Sequence, residues 1–337
     1  MKPAARSCVR VVLAGLALAL AATLASADTG AQEAAIVQQP VALAMTAAAL
    51  APGVYFFEGR TEAVSPANRG VVANTGFIVG STGVLVINTG ASHRIGEAML
   101  AAIARVTPLP VKLVVITQQA PEIVFGASAF RDRGIPIFAH RKTAALIEER
   151  CAICLKKLVA TLGTEEMRNS RVTVPDTLLD GSTQIDVIGR AVDLAFLGWA
   201  STPGDLAVFD RESGVMFTGG LVTRGRIPEL RNENLDGWLD ALKALESWPV
   251  RQLVPGFGPV GTLPDAAPLA GYLRGLRDAT RGALERGASL TEAMREVQVP
   301  AYRSWALYDT AHAQNVQRIY VGMENAAASQ KADAATR

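Results

Sequence analysis

Histidine is scarce in this 337-residue sequence: His93, His140 and His312 are the only three, and no His-x-His pair occurs. That argues against a metal centre built from converging imidazoles, and structural or surface roles are expected for all three. Cysteine is equally sparse, with Cys8, Cys151 and Cys154. No Gly-x-Ser-x-Gly elbow surrounds Ser201 and no histidine lies near it in sequence, which argues against a serine nucleophile. Beyond residue 24 no apolar run is long enough to cross a membrane, since a span needs about 20 residues.

An excess of either charge is also missing. Lys2, Arg6 and Arg10 precede the apolar run Val11–Leu24 and the small-residue site Ala25-Ser26-Ala27, the pattern of a cleavable export signal over residues 1–27. Removing its three basic residues takes Lys plus Arg from 33 to 30, against 31 acidic residues. Such a balance supports neither nucleic-acid binding nor attachment to an anionic membrane. The expected location is therefore outside the cytoplasm, in the periplasm if the source is Gram-negative, with no membrane association after cleavage.

What is present is apolar sequence, 50% of the residues, enough for a substantial core. Residues 28–50, rich in Ala and Gln, read as a flexible lead-in. VYFFEG, GVVANTGFIVG and GVLVINTG then read as consecutive strands, and HRIGEAMLAAIARV from His93 to Val106 has helical spacing. LVVIT is the next strand, Glu122 to Arg133 a helix, IPIFAH a strand, and Lys142 to about Leu162 a long helix. In the second half, VDLAFLGWA is a strand and LAVFDRESGVMFTGG a hairpin turned at Arg211 to Gly214. NLDGWLDALKAL is amphipathic with Asn234 as N-cap, and QLVPGFGPVG is a last strand. Further helices are expected from Pro268 to about Val297 and from Asp309 to Glu324, before a disordered tail at 326–337. The pattern by itself establishes an α/β class in one domain, 51–325.

The blocks GFIVGSTGVLVINTG, LVVITQQAPEIVFGASAF, ASTPGDLAVFDRESGVMFTGG and VPGFGPVG, in that order, resemble the metallo-β-lactamase superfamily. The resemblance runs from about Val54 to Met323 and implies an α+β fold, a four-layer αββα sandwich. The CAIC helix and the NVQRIY segment are similar to exported quinoprotein relay system zinc metallohydrolases. In that superfamily, metal held at the joined sheet edges converts bound water to hydroxide at neutral pH. Its loop reads Thr-His-x-His-x-Asp-His. Here Gln118 and Ala120 stand at the first two His positions, Glu122 at the Asp and Ile123 at the last His. Ser201 replaces the His of His-Thr-Pro-Gly-Asp, Gly220 the bridging Asp of Phe-Thr-Gly-Asp, and Phe257 the His of Pro-Gly-His-Gly-Pro. Asn88 replaces the supporting Asp of the early Asp-Thr-Gly. Only Glu122 remains a strong donor, and zinc needs three or four.

The resemblance thus implies a degenerate metal site, no metal and no cofactor. It points to a non-catalytic pseudoenzyme that binds a small molecule or a periplasmic partner, with quinoprotein redox systems as a partner class. Glu122 reads as a relic base or as a carboxylate at a helix N-terminus. Asn88, Trp199, Asp205, Arg224 and Arg226 are candidates for the cleft. Trp199 and Phe257 are expected to narrow it, Phe257 by filling the metal cavity. Asp205 also fits simple turn chemistry, and Arg224 and Arg226 are either anion holders or solvated rim charges. Cys151 and Cys154, at i and i+3, share a helix face and read as a disulfide, two small core residues or a redox pair. A helix boundary at Cys151 would lower its thiol pKa. The alternatives in function are a metal-independent hydrolase using Glu122 and a thiol redox protein.

Overall fold

The computed structural model describes residues 43–335; the expected signal at 1–27 and most of the expected lead-in lie outside them. The first sheet comprises β1 (Ala48–Ala51), β2 (Val54–Phe57), β3 (Thr75–Val79), β4 (Val84–Ile87), β5 (Val111–Ile116), β6 (Ile137–His140) and β7 (Thr177–Leu179), in that spatial order. The second sheet runs β12 (Gln252–Phe257), β11 (Val215–Thr223), β10 (Leu206–Asp210), β9 (Val192–Phe196) and β8 (Thr183–Ile185). Helices α1 (His93–Val106), α2 (Pro121–Val124), α3 (Ala127–Arg131) and α4 (Arg141–Leu162) follow strands of the first sheet. Helices α5 (Leu235–Leu245), α6 (Ala267–Glu285), α7 (Leu290–Glu296) and α8 (Tyr308–Ala335) belong to the second half.

Side-chain alternation along single strands shows how these elements stack. In β5, Leu113 and Val115 point into a core shared with Val208, Phe217 and Val254 of the second sheet. Val114 and Ile116 point the other way, into a core with Ile95 and Met99 of α1 and Ile147 of α4. Along β10 and β11, Ala207 and Met216 likewise face a third core, built with Trp238, Leu242 and Leu273 of α5 and α6. Strands whose two faces are both apolar must be covered on both sides. Three cores between four layers follow, an αββα sandwich.

Several segments differ from the sequence reading. The lead-in ends before residue 50, because β1 pairs antiparallel with β2 and Met45 is already buried. The helix expected over Glu122 to Arg133 is broken into α2 and α3. A Cβ at Gly126 would lie 1.9 Å from the Thr89 carbonyl oxygen, so the chain passes too close to the β4–α1 turn for a continuous side-chain-bearing helix. The tail expected to be disordered from 326 continues α8 to Ala335, consistent with the high helix propensity of its alanines. Helix α4 runs unbroken through Cys151, so no helix begins there. Asn234 caps α5 as expected, accepting from the Gly237 amide.

The two sheets are tied together at one end by Arg190. Its guanidinium makes a two-point contact with Asp210 (2.7 and 2.6 Å) and donates to the Pro52 and Val79 carbonyls of the first sheet. Both side chains are buried, at 8% and 0% exposure. Removing one partner leaves an uncompensated charge, so Arg190→Ala is expected to cost about 3–5 kcal/mol in urea unfolding. A double change of Arg190 and Asp210 to apolar residues should cost less than the single one, and a larger cost would refute the charge-burial explanation.

Candidate functional site

At the other end of β10, the carboxyl ends of β4, β5 and β12 meet the middle of β11. Open sheets place binding sites at such strand ends because side chains from separate loops converge there. Gln118, Ala120, Glu122, Ser201, Gly220, Arg226 and Phe257 line one cavity together with Gln119, Glu229, Arg231 and Trp238. The positions aligned with metal ligands are thus brought together, apart from Ile123. That side chain is fully buried in the first helix–sheet core.

The replacements interlock. A Cβ on Gly220 would sit 1.2 Å from Gln118 Oε1 and 2.6 Å from Ser201 Oγ, so the Gln118 amide occupies the space a residue-220 side chain would need. The Ser201 hydroxyl lies 2.9 Å from Asp205 Oδ2 and 3.1 Å from Gln118 Oε1. With one proton it donates to one of them at a time. Asp205 is fully buried beneath the cavity and also accepts from the Thr202 amide and hydroxyl. Burial pushes its carboxyl up to about 6, against these hydrogen bonds. Asn88 lies deeper still, with a left-handed backbone (φ 59°) that Asn tolerates, and its Oδ1 accepts from the Thr117 amide and hydroxyl. It therefore shapes the turn before Gln118 rather than the cavity wall.

The electrostatics centre on Arg226. Its guanidinium lies 4.6 Å from the centroid of the Phe257 ring and donates to the Thr61 and Glu62 carbonyls at 3.3 and 2.9 Å. Glu229 Oε2 is 3.6 Å away. Burial raises the Glu122 carboxyl above the ordinary range and Glu229 adds to the rise, while Arg231 and Arg226 oppose it. The cavity holds about 70 Å³, space for a few waters. Phe257, expected to narrow the site, is part of the cavity wall. Trp199 is not: it is 44% exposed, and its indole N–H donates to the Asn232 carbonyl. Arg224 also turns away, donating to the Pro259 and Val260 carbonyls and pairing with Asp265.

The three histidines are dispersed. His93 contacts Ser128 and Glu97, His140 caps α4 and stacks on Phe196, and His312 is held between Tyr272 and the Val297 carbonyl. Cys151 and Cys154 are free thiols; Cys151 is buried, and Cys154 borders an adjoining cleft of about 400 Å³ that shares Glu122, Glu229 and Arg231 with the cavity. Glu229, Arg231, Gln119 and Trp238 were not singled out from sequence. The charged run in RIPELRNEN, just after the strand carrying Gly220, was the available signal for the first two.

Comparison with solved structures decides the architecture. A metallo-β-lactamase from Pontibacter korlensis superposes with a TM-score of 0.56 at 20% identity, over 68% of this chain and 99% of that one. The fold is that of the metallo-β-lactamases. The DIM-1 metallo-β-lactamase (TM-score 0.54, 14% identity, 69% of this chain and 98% of that one) has the same fold. So has VMB-1 (0.55, 16%, 68% and 96%). No protein-family model matches the sequence, and no curated protein does.

Within this metallo-β-lactamase fold the residues at the strand-end rim do not fit a metal ion. Among the described residues no three His, Cys, Asp or Glu side chains group so as to hold one. The two carboxylates lining the cavity, Glu122 and Glu229, share it with two guanidinium groups, and burial raises the Glu122 carboxyl. A divalent cation would have to displace or repel fixed positive charge there.

The burial of Glu122 sets a sign for its effect on stability. Its folded pKa is raised, so the folded chain keeps this proton to higher pH than the unfolded chain. The contribution turns unfavourable as pH rises from the unfolded carboxylate range, about 4.3, through the folded value. Glu122→Gln should therefore gain stability relative to the parent chain, with the gain growing from pH 4 to 7. Urea melts across that range read it directly, and a pH-independent difference would contradict the burial account.

Proposed function

We propose that this chain is an exported, non-hydrolytic protein of metallo-β-lactamase fold, a pseudoenzyme that binds a ligand or periplasmic partner at its remodelled strand-end site. The observation that carries this reading is the chemistry now at the site. Arg226 stacked on Phe257 supplies a permanent positive charge, while Gln118, Ala120, Ser201 and Gly220 supply no strong metal donor. Metal-generated hydroxide requires three or four good ligands and an open position.

A hydrolase that uses Glu122 alone is less well supported. Such a base must hold a water and a substrate carbonyl together within hydrogen-bond reach. A cavity of about 70 Å³ is far below the roughly 300–1,000 Å³ of ligand pockets. The adjoining cleft of about 400 Å³, over Arg231 and Glu229, is large enough to receive a ligand or a partner's side chains. Its mixed charges suit a polar, charged group rather than an apolar one. The signal sequence supports export, and the resemblance to the quinoprotein relay group makes periplasmic quinoprotein redox components the partner class to try first.

The test is turnover with zinc supplied. The mature chain, given excess zinc, is assayed on a chromogenic cephalosporin, a thioester and an aryl ester, alongside Glu122→Gln. No zinc-dependent turnover, and no difference between the two chains, is expected. Zinc-dependent hydrolysis, or a rate that falls at least tenfold in Glu122→Gln, would overturn the reading.

A further inference from the structure

Two thiols stand beside this site and take no part in the reading above. Cys151 and Cys154 lie one turn apart in the continuous helix α4, which carries them past the Gln119 side chain. Gln119 Nε2 is 3.5 Å from Cys151 Sγ and 3.7 Å from Cys154 Sγ, so one side-chain amide bridges the two sulfurs. Cys151 has no exposed surface, whereas Cys154 is half-buried and opens onto the cleft of about 400 Å³. Lys157, Arg231 and Arg318 border that cleft, with Glu122 and Glu229 opposite in charge. One sulfur is therefore reachable, and its neighbour is shielded one helical turn away on the same amide. That is the arrangement that thiol–disulfide exchange needs.

We infer that Cys154 and Cys151 form a thiol–disulfide exchange pair, Cys154 attacking and Cys151 resolving, that accepts a small carboxylate-bearing disulfide from the cleft between α4 and α8. The charged groups facing Cys154 support the assignment. The neighbouring Cys151 thiol brings Cys154 down to about 6; burial opposes this, Arg231 and Lys157 assist it and Glu122 opposes it. The same pairing and burial push Cys151 up. The three cationic side chains would hold the carboxylates of the incoming disulfide.

The exchange balances without metal or cofactor. The Cys154 thiolate attacks one sulfur of R–S–S–R, forming Cys154–S–S–R and releasing one RS⁻, which takes a proton from water. Cys151 then attacks Cys154 Sγ, and the thiol proton of Cys151 leaves with the second RS⁻. The chain ends as the Cys151–Cys154 disulfide and the substrate as two RSH. Residues at i and i+3 have Cβ atoms about 5–6 Å apart, slightly beyond disulfide reach, so α4 must tighten locally as the bond closes.

Glutathione disulfide is the probe. With the reduced mature chain at pH 6, mass spectrometry should find the Cys151–Cys154 disulfide and two released glutathione thiols per chain. Cys151→Ser should stop at a glutathione adduct on Cys154, and Cys154→Ser should form none. With its thiol pKa lowered, Cys154 is expected to react several-fold faster than free cysteine at pH 6, where free cysteine is almost wholly protonated. On the unaltered chain, which avoids any folding defect in the variants, brief iodoacetamide treatment at pH 6 should label Cys154 ahead of Cys151. Arg231→Gln should slow both reactions. An adduct on Cys151, labelling only after unfolding, or a preformed disulfide that reduced glutathione cannot open would each overturn the inference. None of these outcomes depends on whether the strand-end site binds zinc.

Discussion

The Arg226 guanidinium, laid over the Phe257 ring and tied to the Thr61 and Glu62 carbonyls, constrains everything around it. A cation this deeply buried is tolerable only if acceptors and opposite charge surround it. The two carbonyls supply the acceptors, and Glu229 supplies the nearest opposite charge. Glu122 is buried in the same cavity. The Phe257 ring is also what gives the guanidinium a face to rest on. Fixed positive charge thus sits at the strand-end rim.

Around that cluster the vacated ligand positions have closed on one another. Gln118 fills the space above Gly220, Ser201 reaches between Gln118 and Asp205, and Asp205 is buried beneath a ring of donors. These contacts are mutually dependent. An aspartate at 220 would collide with Gln118, and a histidine at 257 would leave Arg226 without its ring. Restoring a single ligand would therefore disrupt the present packing without completing a metal site. The Arg190–Asp210 tie stands at the other end of β10, away from the strand-end rim.

Much of this was legible in the sequence where the signal is local. The apolar run Leu113–Ile116 marks β5 as a strand, and NLDGWLDALKAL shows both its cap and its buried face. Intact TPGD and FTG segments let the sequence place Ser201 and Gly220 beside the residues that line the cavity with them. What depended on tertiary approach was not legible. The break at Gly126 arises from a carbonyl far away in sequence, and the turning away of Trp199 and Arg224 depends on partners at Asn232 and Asp265. Arg231 and Glu229 were passed over because a charged loop ordinarily reads as solvated surface, and only the fold brings it over Glu122.

The central claim is that charge and packing at the strand-end rim have replaced the metal. Its most direct test is the zinc content of the purified mature chain, by plasma mass spectrometry after incubation with zinc and exhaustive dialysis, with thermal unfolding recorded in parallel. The account predicts near-zero zinc and a melting temperature that zinc does not move. One or two zinc ions retained per chain, with a raised melting temperature and loss of both on Glu122→Gln, would contradict it.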